Sequence, residues 1–207
     1  MKVLLVNGSA KSNGCTYTAL QEVAKALEAN GIETEIFQTG NLEIRDCCGC
    51  QKCRELDNKC IFDDIVNKLI DKAKECDGFV FGSPVYYAHP SGRLLSLMDR
   101  AFYSSGSVFA FKPAAAIVSA RRAGTTASLD AIQKHFTITN MPVIASSYWN
   151  MVHGNTPDEV KQDLEGMQIM RHIGENMSWI LKCIEAGKAA GISHPVLDAK
   201  IKTNFIR

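Results

Sequence analysis

The chain has 207 residues, enough for one domain with a sizeable core and too few for a second large one. Its 23 lysines and arginines nearly balance 22 aspartates and glutamates, so the net charge is only +1. This balance excludes a strong overall field that would favour nucleic acid or an anionic membrane as a partner. The apolar start, residues 1–6, is shorter than a signal peptide and lacks a cleavage site, so we expect a cytoplasmic protein.

Apolar runs typical of buried strands alternate with segments of helical periodicity along the chain. Five runs predict strands, at residues 3–6, 33–37, 78–81, 114–118 and 142–145. This alternation indicates an α/β fold, with a five-stranded parallel sheet covered by helices on both faces. We expect one domain over residues 1–191 and a C-terminal tail over 192–207.

Helix boundaries are marked by capping residues. Asn30-Gly31 closes the first helix, and Asp63-Asp64 opens the next. Thr156-Pro157-Asp158-Glu159 is a capping box with proline at the first helical position. It predicts one long helix that ends at Gly187 or Gly191.

The segment Gly8–Thr16 links the first strand to the first helix and contains several potential phosphate donors. The hydroxyls of Ser9, Ser12 and Thr16 and the charge of Lys11 would add to the free N–H groups of the helix N-terminus. The segment is neither a Walker A motif nor G-x-G-x-x-G, which argues against ATP and the usual dinucleotide site. The alternative is an ordinary strand-to-helix turn rich in capping residues.

Two further loops follow the third and fourth predicted strands, at residues 82–92 and 119–126. In an open parallel sheet of order 2-1-3-4-5, ligands bind at the carboxyl ends of these strands. Tyr86 and Tyr87 would supply an aromatic surface, and Arg121 and Arg122 a positive charge. We therefore expect the ligand site between these loops and the first one.

Three motifs, Gly8-Ser9 with Thr16, Gly82–Tyr86 and Asp99-Arg100, make the chain resemble the NADPH-dependent FMN reductase branch of the flavodoxin superfamily. The resemblance covers nearly the whole chain and implies a flavodoxin-like, doubly wound fold that binds FMN, with NAD(P)H as co-substrate. It implies three groups of cofactor-binding residues. Ser9, Lys11, Asn13, Gly14, Cys15 and Thr16 would hold the phosphate; Pro84, Val85, Tyr86 and Tyr87 would line the isoalloxazine; Ser119, Ala120, Arg121, Gly124 and Thr125 would border its other edge.

Five of the eight cysteines lie between residues 47 and 60. Cys47, Cys50, Cys53 and Cys60 have the compact spacing that lets one loop surround a 4Fe-4S cluster, with Cys48 as an extra thiol. This spacing resembles that of iron-sulfur flavoproteins, a subfamily with the same flavin domain. A structural zinc site and free thiols remain alternatives.

The residues and the resemblance together predict an FMN-dependent oxidoreductase similar to NAD(P)H-dependent FMN, quinone or azo reductases, in which the flavin itself carries the chemistry. A first alternative is an iron-sulfur flavoprotein that passes electrons from a ferredoxin through a cluster to FMN. A second is a flavin-binding scaffold or sensor stabilised by zinc. The apolar stripe over residues 160–184 exceeds what one sheet face needs, so we expect a homodimer or tetramer.

Overall fold

The computed structural model describes residues 1–199, 201 and 203 and contains one mixed sheet with helices on both faces. The strands are β1 (Lys2–Asn7), β2 (Glu33–Gln38), β3 (Gly78–Tyr86), β4 (His89–Pro90), β5 (Ala114–Ala120) and β6 (Met151–His153). The order β2-β1-β3-β5-β6 is parallel throughout, while β4 pairs antiparallel with β3. Setting the short β4 aside, this is the predicted flavodoxin-like order 2-1-3-4-5.

Within the described residues, six α-helices and one short 3₁₀ turn accompany these strands, and the last two helices follow β6. The helices are α1 (Cys15–Ala29), α2 (Ile65–Lys74), α3 (Gly92–Phe109), α4 (Thr125–Ile138), α5 (Pro157–Gln162) and α6 (Leu164–Ala189). The 3₁₀ turn at Lys52–Arg54 lies inside the cysteine segment, residues 42–62, which contains no other helix or strand. The predicted caps at Asn30, Asp64 and Thr156 are all confirmed.

Successive side chains of the central strands point to opposite faces of the sheet, so the hydrophobic core consists of two clusters, one on each face. In β1, Leu4 and Val6 face a cluster with α2, α3 and α4, whereas Val3 and Leu5 face a cluster with α1, α5 and α6. All four side chains are fully buried. Strands buried on both faces need continuous apolar runs, which is why the sequence located them.

The prediction of the fifth strand at residues 142–145 was wrong. That segment forms a single bridge, between Val143 and Ala114, and the chain then leaves the sheet. It returns as β6, which pairs with the far end of β5. The intervening turn is held by Asn150, whose Nδ2 donates to the Ile144 carbonyl at 3.3 Å. The edge strand is therefore interrupted: the bridge at Val143 and β6 both pair with β5.

The prediction of one long helix from Thr156 was also wrong. Asp163, at φ −74° and ψ 78°, separates α5 from α6. Its carboxylate accepts from Gly166 N at 3.0 Å and from His153 N at 2.7 Å, so it caps α6 and links it to β6. The apolar periodicity continues across this break because Val160 and the inner residues of α6 belong to the same core cluster.

The C-terminal part of the chain follows α6. Residues 192–199 form neither helix nor strand, and the His194 ring stacks on Phe111 with centroids 4.3 Å apart. Residues 200, 202 and 204–207 of the predicted tail lie outside the described residues. The boundary between domain and tail stays a prediction. In the described part of the chain, no helix has the length and apolarity to cross a membrane.

Candidate flavin site

The carboxyl ends of β1 and β3 approach closely at two glycines. Gly8 N donates to the Gly82 carbonyl at 2.8 Å, and Ser91 Oγ donates to the Gly8 carbonyl at 2.8 Å. A Cβ on Gly8 would lie 2.8 Å from the Gly82 oxygen, closer than real side chains approach. The first loop and the loop after β3 are thus fixed against each other by backbone contact that only glycine permits.

Side chains from β1 and β2 hold the first loop in shape. Ser9 N donates to Asn7 Oδ1 at 3.1 Å, and Gln38 Nε2 donates to the Ser9 carbonyl at 2.7 Å. Lys11 N in turn donates to Ser9 Oγ at 3.1 Å. These bonds occupy polar groups on the inner side of the loop, while the Lys11 side chain is exposed beside it.

The start of α1 offers an anion-binding site. Its N-cap is Gly14, no side chain caps it, and the first turn contains no acidic residue. The first helical bond is made by Thr18 N, so in the described part of the chain the N–H groups of Cys15, Thr16 and Tyr17 have no protein acceptor. Unpaired N–H groups and the helix dipole favour a phosphate, so this end fits the phosphate of FMN.

Two of the predicted phosphate side chains have other roles. Thr16 and Ser119 are buried and their hydroxyl oxygens lie 2.8 Å apart, so they join the first loop to β5. Cys15 Sγ donates to the Gly154 carbonyl at 3.6 Å, and burial raises the pKa of this thiol. Cys15 is therefore a neutral thiol at pH 7, and these positions offer backbone donors to a phosphate.

The loops after β3 and β5 form the other wall. Tyr87 and Ala88 make the turn between β3 and β4 with φ of 49° and 61°, and the Tyr87 side chain is fully exposed. Gly124, at φ 92°, packs beneath this hairpin, because a Cβ there would lie 2.5 Å from Ala88 Cα. The structure therefore brings the two predicted flavin loops into contact at one edge of the sheet.

The predicted flavin residues differ in how far they are exposed to solvent. Tyr86 and Arg121 are exposed, whereas Pro84 and Val85 are half-buried. Ala120 and Thr125 are buried, and Asn13 is exposed beside Lys11. Pro84, Val85 and Tyr86 belong to β3, which continues beyond the predicted end at residue 81. Ser119 and Ala120 end β5, and Cys15, Thr16 and Thr125 begin helices, so the predicted groups meet around the carboxyl ends of β1, β3 and β5. Sequence reasoning missed the supporting residues Asn7, Gln38, Ser83 and Ser91, because their roles depend on contacts between distant segments.

The cysteine segment lies between β2 and α2. Cys47, Cys48 and Cys50 are exposed, while Cys53 and Cys60 are half-buried. Among the described residues, no three Cys, His, Asp or Glu side chains form a group that could hold a metal ion. The four predicted ligands nevertheless suit an iron-sulfur cluster by chemistry, since all are thiols and Cys60 Sγ accepts two N–H groups from Arg100.

A flavodoxin-like sheet with a phosphate-binding helix end and an aromatic hairpin at its carboxyl edge defines a flavin-binding protein. Residues 1–156 match the model of the NADPH-dependent FMN reductase family. The chain belongs to this family and is an FMN-dependent oxidoreductase.

Comparison with individual proteins agrees with this assignment. An iron-sulfur flavoprotein of Methanocaldococcus jannaschii is 31% identical, over 89% of this chain and 100% of the relative. An iron-sulfur flavoprotein of Methanosarcina thermophila is 23% identical, over 91% of this chain and 99% of the relative. The solved structure of a flavodoxin from the domain Archaea, 15% identical, superposes with a TM-score of 0.60 and covers 88% of this chain and 99% of its own. This last similarity confirms the flavodoxin-like fold.

Proposed function

We propose that this oxidoreductase carries an iron-sulfur cluster on its cysteine segment and exchanges electrons between that cluster and FMN. The observation that carries the proposal is the contact of Cys60 Sγ with Arg100 Nε and Nη2, at 3.3 and 3.2 Å. A protonated thiol is a weak acceptor, whereas a charged thiolate accepts strongly, so these donors suit a metal-ligand sulfur. The name of the 31% identical relative supports the same proposal.

When bound, FMN would supply hydride and electron transfer, and the cluster would supply one-electron transfer. The chain's own residues would bind and orient these groups. The free N–H groups at the start of α1 and the Lys11 side chain would hold the FMN phosphate. The ligands of the cluster would be Cys47, Cys50, Cys53 and Cys60.

The electron donor in this proposal is a ferredoxin-type protein.

A second candidate function is NAD(P)H-dependent reduction of a quinone, azo or nitro compound or free flavin. It is favoured by the open hairpin, where Tyr86 and Tyr87 are 55% and 103% exposed and could contact a planar ligand. A zinc-stabilised scaffold has less support, since the 31% and 23% identical relatives are both named iron-sulfur flavoproteins.

We also propose a cytoplasmic location and a homodimeric or tetrameric state. All eight cysteines are free, as expected in a reducing compartment. Two exposed tryptophans, Trp179 on α6 and Trp149 on the turn before β6, support self-association.

The first experiment is anaerobic purification followed by an absorption spectrum and by iron, sulfide and zinc assays. FMN with about four irons and four sulfides per chain would support the proposal. FMN without iron under strict anaerobiosis would leave NAD(P)H-dependent reduction as the function. Zinc without flavin turnover would favour the scaffold. Anaerobic reduction by NADPH and by a reduced ferredoxin, measured side by side, then distinguishes the two donors.

Replacing one predicted ligand tests the identity of the cluster site. We expect Cys47→Ala to lose most of the bound iron, because a cubane cluster needs four thiolates. Cys48→Ala is the matched control, since Cys48 is also exposed and is adjacent to Cys47 but lies outside the ligand spacing. Iron and FMN are quantified in both variants after anaerobic purification. Equal iron in the two variants would contradict the ligand assignment.

A further inference from the structure

Arg100, on α3, is a charged side chain removed almost entirely from solvent. It is 1% exposed and is among the largest fully buried side chains of the described residues. Buried arginines need a partner for their charge and acceptors for their N–H groups. The groups that Arg100 contacts therefore indicate what it was placed to bind.

One edge of the guanidinium binds Asp64. Nη1 donates to Asp64 Oδ2 at 2.6 Å and Nη2 donates to Oδ1 at 3.0 Å, a bidentate ion pair. An arginine side chain stays protonated in proteins, and the Asp64 carboxylate balances its charge at this buried position. Arg100 is thus a permanent cation inside the protein.

The other edge of the guanidinium, formed by Nε and Nη2, faces Cys60 Sγ at 3.3 and 3.2 Å. An edge with two parallel donors matches an acceptor that carries negative charge. Leaving buried donors against a weak acceptor is unfavourable, so a neutral thiol is a poor partner for this edge. A cluster-bound thiolate is the acceptor that the geometry suits.

The backbone of Cys60 is fixed as well as its sulfur. Its N–H donates to Asn67 Oδ1 at 2.9 Å, and its carbonyl accepts from Asn67 Nδ2 at 2.9 Å. Arg100 also donates to the carbonyls of Arg45 and Phe62, on either side of the cysteines. Among the described residues, Cys60 is the member of the predicted ligand set whose sulfur accepts a hydrogen bond, whereas Cys47 and Cys50 are exposed.

We propose that Arg100 is the positioning residue of the cluster site. It fixes the position of Cys60 Sγ for cluster binding, and its N–H···S bonds raise the reduction potential of the cluster. The potential rises because these donors stabilise the extra negative charge that one added electron brings to the cluster. This inference rests on the proposed function, since it requires a cluster bound to Cys60.

The test compares anaerobically purified wild-type, Arg100→Lys and Arg100→Met proteins in redox titrations that follow the cluster and FMN separately. Lysine retains the charge and loses the forked geometry, and methionine loses both. We expect Arg100→Met to lower the equilibrium constant for cluster reduction at least tenfold, about 59 mV for one electron. The FMN potential should stay unchanged, and Arg100→Lys should lie between the two.

Arg93→Gln is the matched control. Arg93 lies on the same helix and its Nε donates to the Leu42 carbonyl at 3.1 Å, so it contacts the cysteine segment without touching a sulfur. Arg93→Gln should keep the wild-type cluster potential. Equal potentials in wild-type and Arg100→Met proteins with full iron would overturn the inference and leave the proposed function intact. Wild-type protein without iron would overturn both.

A measurement on the unmutated chain covers the case in which the Arg100 variants do not fold. The wild-type protein is labelled with ¹⁵N-arginine, its cluster is reduced, and pulsed EPR records magnetic coupling to ¹⁵N. We expect a coupling, because two Arg100 nitrogens lie within 3.3 Å of Cys60 Sγ. A cluster spectrum with no arginine nitrogen coupling would overturn the inference.

Discussion

Lys11 is the residue that distinguishes the candidate phosphate site from an ordinary strand-to-helix turn. Its backbone is fixed by Ser9 Oγ, and its side chain is exposed beside the free N–H groups of α1. Because the charge lies at the proposed phosphate site, we expect Lys11→Met to weaken FMN binding about tenfold, or roughly 1.4 kcal/mol. Riboflavin, which lacks the phosphate, should bind Lys11→Met and wild-type protein equally.

The affinities are measured by fluorescence titration of the apoprotein with each flavin. Lys25→Met is the control, since Lys25 is an exposed lysine on α1 that pairs with Glu22. It should bind both flavins as the wild type does. An equal loss of FMN and riboflavin affinity in Lys11→Met would place Lys11 elsewhere than at the phosphate.

Residue-level prediction from the sequence succeeded where local chemistry decides the outcome. The caps Asn30 and Asp64 were located because capping depends on near neighbours. The turn at Tyr87-Ala88 has positive φ at both positions without glycine or asparagine, so it gives no turn signal. The role of Arg100 depends on Asp64 and Cys60, which are 36 and 40 positions away, and the sequence could not indicate it.

At the scale of elements, the sequence predicted the strands and helices that are buried along their length. β1 and β5 are apolar over most of their length and were found, and of β3 the apolar first part, residues 78–81, was found. β6 has three residues and pairs only at the sheet edge. The break between α5 and α6 was missed because Asp163 is a polar residue between two helices that share one apolar face. Periodicity reports which face is buried and does not report whether the backbone is continuous.

The close packing of α6 on α1 predicts how two glycine substitutions on α6 change stability. A Cβ on Gly174 would lie 2.6 Å from Ala26 Cβ and 2.8 Å from the Val23 carbonyl oxygen. Gly174→Ala should therefore force the helices apart and lower the free energy of unfolding by about 1–3 kcal/mol. Gly187→Ala is the control on the same helix, because a Cβ there would lie 3.8 Å from its nearest neighbour, Ile192 Cβ. It should raise the free energy of unfolding by about 0.5–1 kcal/mol. Urea denaturation checks both; a stabilised Gly174→Ala would disprove the close contact.

The ion pairs of Glu35 on β2 with Lys2 and Lys72 predict that the stability of the fold depends on pH. Glu35 accepts from Lys72 on α2 and forms an ion pair with Lys2 at 2.9 Å, and these bonds lower the pKa of Glu35 below its ordinary value. A lowered folded-state pKa gives stability that is present above the unfolded pKa of about 4.3 and is lost as pH falls through the folded value. Glu35→Gln should therefore lower the free energy of unfolding at pH 7 by about 0.5–1 kcal/mol.

That difference between wild type and Glu35→Gln should shrink as the pH falls below about 4.3. It is measured by urea denaturation across the acid range. Glu33→Gln is the control. Glu33 is 69% exposed and lies 3.3 Å from Lys2, so its ion pair is longer and more exposed than that of Glu35. We therefore expect a smaller change in the free energy of unfolding at every pH. A difference that stays constant with pH would mean that Glu35 acts through packing instead of charge.

At the scale of the whole molecule, large apolar groups remain exposed on one side of α6. The turn before β6 is tied to α6, since Asn176 Nδ2 donates to the Ala145 carbonyl at 2.8 Å. Trp149 on this turn is 56% exposed, and Trp179, three residues after Asn176, is 65% exposed. Exposed tryptophans are enriched in interfaces, where they contribute a large share of the binding energy. This surface is therefore our candidate for contact between copies of the chain.

We expect light scattering at micromolar concentration to give at least twice the 22.7 kDa mass of one chain. Trp179→Glu should then weaken association by at least about 2 kcal/mol, roughly 30-fold in Kd, and shift the mass towards that of one chain. Glu185→Lys also changes a charge on α6 at an exposed position, and it should leave the mass unchanged. A wild-type mass of 22.7 kDa would contradict self-association. An unaltered oligomer in Trp179→Glu would move the interface to another surface, because a buried glutamate cannot replace a tryptophan without loss of binding.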